Sequence, residues 1–157
     1  SGPGLEHWSR LRCQTQIRQG CGLGLSKLSQ SYGGDLAPVK AIIDSDGLDQ
    51  VWSTNHAFVA KLKSGKAVAW GNRGHGGDLA PVKAIIDADG LDQVWSTHRA
   101  FVAKLNSGKA VAWGDEDRGG DLAPVQAIIN SCGLVQVWST DSAFVAKLKS
   151  GKAVAWG

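Results

Sequence analysis

Four histidines, several serines and a set of aspartate-rich turns are the residues that could do chemistry here. The histidines are His7, His56, His75 and His98. Acid–base or nucleophilic catalysis needs converging groups with tuned pKa values. None of the four recurs at an equivalent place along the chain, and each is read as a solvated side chain in a variable loop or the leader. Ser53, Ser96 and Ser139 do recur. They fall inside expected strands without the Gly-x-Ser-x-Gly elbow that would raise a nucleophile out of a sheet. No phosphate loop and no dinucleotide fingerprint is present.

The turns Asp44-Ser45-Asp46-Gly47-Leu48-Asp49 and Asp87-Ala88-Asp89-Gly90-Leu91-Asp92 have the carboxylate density of a Ca²⁺ loop. The third copy, Asn130-Ser131-Cys132-Gly133-Leu134-Val135, lacks most of those oxygens. The bidentate glutamate six residues after the glycine is also missing. These turns are therefore read as helix ends. Cys13 and Cys21 share no ligand spacing with a further Cys or His, and Cys132 stands where other copies have Asp. The expectation is no catalytic residue, no metal and no cofactor, hence a non-enzymatic chain with no small-molecule substrate.

Composition narrows the partners. Of 157 residues, 43% are apolar and 20% charged, a globular balance. Apolar runs reach only four or five residues, too short for a transmembrane helix. The net charge of +3 is too small to make nucleic acid the expected partner. That excess sits in residues 1–32, where Arg10, Arg12, Arg18 and Lys27 face Glu6 alone. This basic leader is a candidate contact for phosphate or an acidic surface, and nucleic-acid or chromatin contact through it is an alternative function. The chain starts at Ser1 and contains no Met. A processed start is one explanation, and it makes an organellar (plastid) location an expectation.

Repeats set the organisation. GGDLAPVKAIID begins at Gly33 and again at Gly76, and GGDLAPVQAIIN begins at Gly119, a period of 43 residues. Each unit continues GL-x-QVWST, two variable residues, then AFVAKL-x-SGKAVAWG. The boundaries are 33–75, 76–118 and 119–157, all expected to pack as one domain. Gly4 to Arg10 reads GLEHWSR against GLDQVWST at Gly47 to Thr54, so 1–32 is read as a leader with a degenerate partial repeat.

Within one unit, Gly33-Gly34 is a breaker and Asp35 a candidate helix N-cap with Pro38 in the first turn. Val39, Ile42 and Ile43 then mark one face of a short helix, with a short β-strand as the alternative. Gln50 to Thr54, Ala57 to Leu62 and Ala67 to Trp70 are expected strands, the last two joined by a tight Ser64-Gly65 turn. Asn72 to His75 is a polar linker. One such meander cannot bury both faces, so neighbours must complete the core. Two tryptophans and one phenylalanine per repeat are expected to supply most of the buried area.

Val51 to Gly71, VWSTNHAFVAKLKSGKAVAWG, resembles the repeat of the regulator of chromosome condensation family. The frame recurs at Val94 to Gly114 and Val137 to Gly157, with the Trp-Gly end and preceding turn in register. Short, near-identical tandem copies resemble repeat proteins of unicellular algae. The resemblance implies a mainly β, propeller-like fold, either a small ring or an open β-repeat arc capped by partners or another copy. Two departures stand out. The repeats are shorter than the family's, and Ala57, Ala100 and Ala143 occupy the frame of its usual second-strand His. No residue matches the exchange face of the founding member, so no exchange site is carried over. A β-trefoil is the alternative fold, because Gln50-Val51-Trp52, Gln93-Val94-Trp95 and Gln136-Val137-Trp138 match the Gln-x-Trp signature of trefoil lectins. It would imply carbohydrate binding.

Function is sought where the copies differ, since repeat arrays vary their recognition loops over a fixed core. The candidate binding residues are Asn55 and His56, their counterparts His98 and Arg99, and Asp141 and Ser142. The linkers add Asn72, Arg73 and His75, against Asp115, Glu116, Asp117 and Arg118. The expected function is a tryptophan-rich scaffold that binds protein partners as an accessory subunit of a larger assembly. For an algal chain, an organellar membrane complex such as a photosystem is the host this implies, through peripheral association.

Overall fold

The computed structural model describes residues 32–157. Each repeat forms a short helix followed by a three-stranded antiparallel sheet. In order these are α1 (Ala37–Asp46), β1 (Leu48–Ser53), β2 (Ala57–Leu62) and β3 (Ala67–Gly71), then α2 (Lys83–Asp89), β4 (Leu91–Ser96), β5 (Ala100–Leu105) and β6 (Ala110–Gly114). The third unit is α3 (Gln126–Cys132), β7 (Leu134–Ser139), β8 (Phe144–Leu148) and β9 (Ala153–Trp156). Single 3₁₀ turns at Arg73–His75 and Glu116–Arg118 occupy the expected linkers.

The local rules explain these elements, with one correction. Asp35 is not the N-cap of α1. Leu36 is, and Asp35 Oδ1 instead accepts the Ala37 N–H at 2.9 Å, an Asx-turn that starts the chain into the helix. Pro38 sits in the first turn, where its missing N–H costs nothing. Gly47 closes the helix through its N–H to the Ile43 carbonyl at 2.8 Å. In the strands, Phe58 pairs with Trp70 and Ser53, while Val59 pairs with Ala69 and Trp52. Side chains alternate, so each sheet presents two apolar faces.

The strands of each repeat pair only with one another, in three separate sheets among the described residues. The trefoil alternative does not describe this arrangement. The mainly β, propeller-like arc does, with each sheet as a blade. The core lies between blades. Ala57, Val59 and Ala67 of the first blade pack against Leu79, Ile86, Leu91, Val94 and Phe101 of the second. Ala100, Val102 and Ala110 of the second pack in the same way against Leu122, Ile129, Leu134, Val137 and Phe144 of the third.

The two tryptophans of a repeat play different parts. Trp70, Trp113 and Trp156 are buried. Each stacks on a phenylalanine of its own blade at 5.3–5.4 Å and donates its indole N–H to the carbonyl of Gly33, Gly76 or Gly119 at 2.9–3.1 Å. That bond fastens the last strand of a repeat to its first residue. Trp52 and Trp95 are half-buried and pack against the core clusters, and Trp138 is 54% exposed, so this series supplies less of the buried area than Trp70, Trp113 and Trp156 do. They lie on the face that only a following blade can cover.

Candidate functional site

An antiparallel meander sends β1 up, β2 down and β3 up. The β1–β2 turn and the linker after β3 must therefore emerge at the same end of each blade. The blades are then held side by side along their first strands. Ser96 Oγ donates to the Ser53 carbonyl at 2.8 Å, and Ser139 Oγ donates to the Ser96 carbonyl at 2.7 Å. Just beyond, the Asn55 N–H donates to the His98 carbonyl at 3.0 Å, and the His98 N–H to the Asp141 carbonyl at 3.1 Å. This series of bonds at the 43-residue spacing lines up the three β1–β2-type turns.

The result is an open polar groove of about 320 Å³, walled by Ser53, Thr54, Asn55, Thr97, His98 and Asp141 with the matching serines and threonine of the other blades. His98 Nε2 lies 3.0 Å from Asp141 Oδ1 across the boundary between the second and third blades. Serine, histidine and aspartate thus meet here, but not as a catalytic set. The Ser96 and Ser139 hydroxyls give their protons to main-chain carbonyls. A nucleophile must instead hand its proton to the base.

The linkers complete the same end. Thr54 Oγ1 donates to the His75 carbonyl and Thr97 Oγ1 to the Arg118 carbonyl, both at 2.9 Å. Asn72 Oδ1 accepts the Gly74 N–H at 2.9 Å, and Asp115 Oδ1 accepts the Asp117 N–H at 3.1 Å. Asn72 and Asp115 therefore shape their 3₁₀ turns before they can serve a ligand. Arg73 forks onto Asp78 Oδ2, with Nη2 at 2.7 Å and Nε at 3.1 Å. Arg118 Nη1 donates to Ser142 Oγ at 2.6 Å, again across a blade boundary, and Arg99 Nη1 lies 3.6 Å from Asp115 Oδ2. Glu116 and Asp117 stand exposed at the tip of the second linker. Every variable residue singled out in the turns and linkers therefore falls at this one end. Arg10, Arg12, Arg18 and Lys27, with His7, Cys13 and Cys21, lie outside the described residues.

His75 sits in the middle of this surface. Its ring meets the His56 ring edge-on at 4.5 Å, and Tyr32 follows at 4.6 Å from His56. Asn72 Oδ1 already accepts a main-chain N–H, so His75 Nδ1, 3.0 Å away, is the donor to it. Burial pushes the His75 pKa below its ordinary value, and the nearby His56 and Arg99 push the same way against Asp115. The unfolded chain then takes up the proton more readily than the folded one. The stability His75 confers is complete above its ordinary pKa of 6.5 and declines as pH falls from there towards the depressed folded value. Thermal melts from pH 7.5 to 5 should show that decline, and His75→Gln should flatten it.

The aspartate-rich turns are spent on structure. Asp44 pairs with Lys40 at 2.6 Å, Asp46 accepts the Ser64 hydroxyl, and Asp49 lies 3.5 Å from Lys61 Nζ. Among the described residues no three His, Cys, Asp or Glu side chains come together as a metal site. No described helix is long and apolar enough to cross a membrane. Two features escaped the sequence reading. The serine ladder was visible only as a 43-residue recurrence, not as a motif. Ile42, placed by the sequence on one helix face with Val39 and Ile43, is instead half exposed while Val39 is buried, and Ile85 and Ile128 repeat that exposure on the other two helices.

No family model matches the chain, and no curated protein does. Among solved structures, the chain is similar to the CRINKLY WD40 ectodomain of the Arabidopsis thaliana receptor kinase ACR4. The identity is 12% and the TM-score 0.50, over 70% of this chain and 39% of that one. Human WBSCR16 is similar at 15% identity and a TM-score of 0.50, over 74% of this chain and 35% of that one. The ectodomain of the Physcomitrella patens receptor kinase CR4 aligns at 14% identity and a TM-score of 0.49, over 70% of this chain and 29% of that one. The chain thus spans well under two thirds of the length of each. At these identities the likeness is one of fold, and the fold it shows is a tandem array of propeller-type β blades.

Proposed function

We propose that this chain is a non-enzymatic interaction module of the regulator of chromosome condensation repeat type, serving as an accessory subunit of a larger protein assembly. The binding surface in this reading is the end of the arc that carries the β1–β2-type turns and the linkers. One observation carries it: the positions at which every copy differs, 55–56 with their counterparts and the linkers 72–75 and 115–118, lie at that end, whereas positions 40, 44, 45, 46, 49 and 63 elsewhere in the unit each change in a single copy. A scaffold that is constant beneath and varied at one rim is the arrangement expected of a recognition surface. The rim has mixed charge, with Arg73, Arg99 and Arg118 set among Asp115, Glu116 and Asp141. A polar protein surface suits it better than a polyanion does.

The test is comparative. Companions of the endogenous protein are identified after gentle extraction, then captured on the full chain and on two variants. The triple change His98→Ala, Arg99→Ala, Asp141→Ala should weaken capture at least tenfold. Lys66→Ala, Lys109→Ala, Lys152→Ala, at the opposite hairpin tips, should leave it unchanged. Loss with the lysine variant and retention with the rim variant would overturn the assignment.

A further inference from the structure

The boundaries between the first and second blades and between the second and third are built alike at the rim, but they carry different chemistry. At each, the linker after one blade is tied to that blade's own turn. Thr54 Oγ1 holds the His75 carbonyl and Thr97 Oγ1 the Arg118 carbonyl, both at 2.9 Å. The main-chain bonds match as well. The Asn55 N–H donates to the His98 carbonyl and the His98 N–H to the Asp141 carbonyl, at 3.0 and 3.1 Å. The His75 N–H donates to the Asn72 carbonyl and the Arg118 N–H to the Asp115 carbonyl, at 3.1 and 3.0 Å. The side chains in this frame differ. At the second boundary Arg118 Nη1 donates to Ser142 Oγ at 2.6 Å, a permanent cation on a neutral hydroxyl. At the first boundary His75 stands in the place of Arg118, and Arg99 in the place of Ser142.

His75 is thus a titratable ring set beside basic groups. The His56 ring of the β1–β2 turn meets it edge-on at 4.5 Å, with Tyr32 against the far side of His56 at 4.6 Å. Burial opposes a charge on His75, and so do His56 and the Arg99 guanidinium of the β4–β5 turn, while Asp115 on the linker after β6 favours one. Asp115 is already engaged. Its Oδ1 accepts the Asp117 N–H, and its Oδ2 lies 3.6 Å from Arg99. On the ring's own stretch of chain, Arg73 and Asp78 neutralise one another at 2.7 Å. His75 Nδ1 already donates to Asn72 Oδ1, so a further proton goes to Nε2 and adds charge without adding that bond. A charged His75 is better solvated when the linker swings out to water.

We propose that the first blade boundary is an acid-released latch on the rim: a proton taken up by His75 separates the 72–75 linker from the 54–56 turn, while the second boundary stays closed. His98 strengthens the contrast. Its Nε2 lies 3.0 Å from Asp141 Oδ1, so a protonated His98 gains a charge pair across the second boundary. The consequence for binding rests on the reading of the rim as the binding surface. Partner contacts over His56, His75 and Arg99 are the ones that mild acid disturbs.

The latch is read on the free full chain, by amide exchange followed by NMR at pH 7.5 and pH 5, with rates corrected for the intrinsic pH dependence of exchange. Protection of the Asn55 and His75 N–H groups should fall about threefold or more in acid. Protection of the His98 and Arg118 N–H groups should not fall. His75→Gln keeps a side-chain donor for Asn72 and takes up no proton, so in this variant, with folding checked by circular dichroism, the acid loss should vanish. Equal protection of Asn55 and His75 at the two pH values would overturn the latch. So would a parallel loss at both boundaries, or a His75→Gln chain that opens as the wild type does. Capture of the companions at the same two pH values is read separately. Capture that holds in acid while the latch opens would overturn the rim reading at this boundary and leave the latch standing.

Discussion

Trp113→Ala is expected to destabilise the chain by about 3–5 kcal/mol, the range for removing a large aromatic from a packed core. Trp113 is 2% exposed and stacks on Phe101 with ring centroids 5.3 Å apart. Its Nε1–H reaches the Gly76 carbonyl at 3.1 Å, 37 residues earlier in the chain. Truncation thus opens a cavity, removes a ring partner and orphans a buried carbonyl at once. Trp113→Phe separates these causes. It keeps an aromatic against Phe101 and loses only the indole donor and part of the volume, so the loss should fall to about 1–3 kcal/mol. Chemical denaturation with an unchanged m-value measures both. Equal losses for the two variants would mean that the hydrogen bond, and not the packing, secures the blade.

Gly76→Ala should rank next. Gly76 has φ of +94°, and a Cβ there would lie 2.5 Å from the Phe101 ring. The left-handed backbone costs a side chain about 1–3 kcal/mol, and the forced displacement of a buried ring adds roughly 1–3 kcal/mol more. Gly151 is the internal control. Its φ is +84°, but nothing lies within 4 Å of its Cβ position. Gly151→Ala should therefore show the backbone cost alone. The difference in unfolding free energy between the two variants measures the clash. If the two are equal, Phe101 moves aside freely and the close packing of Gly76 on its ring is not a constraint.

Much of the architecture was legible because the chain repeats itself. Alternation in AFVAKL, the Ser64-Gly65 turn and the Trp70-Gly71 end gave the meander, and the copies at 43-residue spacing confirmed the frame. The short helix was visible from Val39, Ile42 and Ile43, but its cap was misplaced. Asp35 makes an Asx-turn one step earlier than an N-cap would. The roles of the tryptophans were not legible. Trp52, Trp95 and Trp138 share one sequence context, yet their exposure depends on whether a blade follows. That is a property of the neighbour and not of the local pattern.

The candidate surface was half legible. Asn55, His98, Asp141 and the linker residues were recognisable as variable, but a list of variable loops does not say that they converge. Convergence follows from the strand directions and from the serine ladder that sets the blades side by side. Ser53, Ser96 and Ser139 carry no catalytic motif, so their recurrence had no evident meaning until the carbonyl partners were seen. The aspartate-rich turns were legible as helix ends, and the helices do end there at Asp46, Asp89 and Cys132. Their calcium-like composition reflects helix ends whose carboxylates are taken by Lys40, Ser64 and Lys61.

The central claim is that the varied rim, and not the hairpin tips, is where this chain meets its partner. Hydrogen–deuterium exchange on the chain alone and in its captured assembly tests this most directly. The account predicts added protection in residues 54–56, 97–99 and 140–142 and in the linkers 72–75 and 115–118. The hairpin tips at 63–66, 106–109 and 149–152 should exchange as before. Protection confined to those tips, with the rim unchanged, would contradict it.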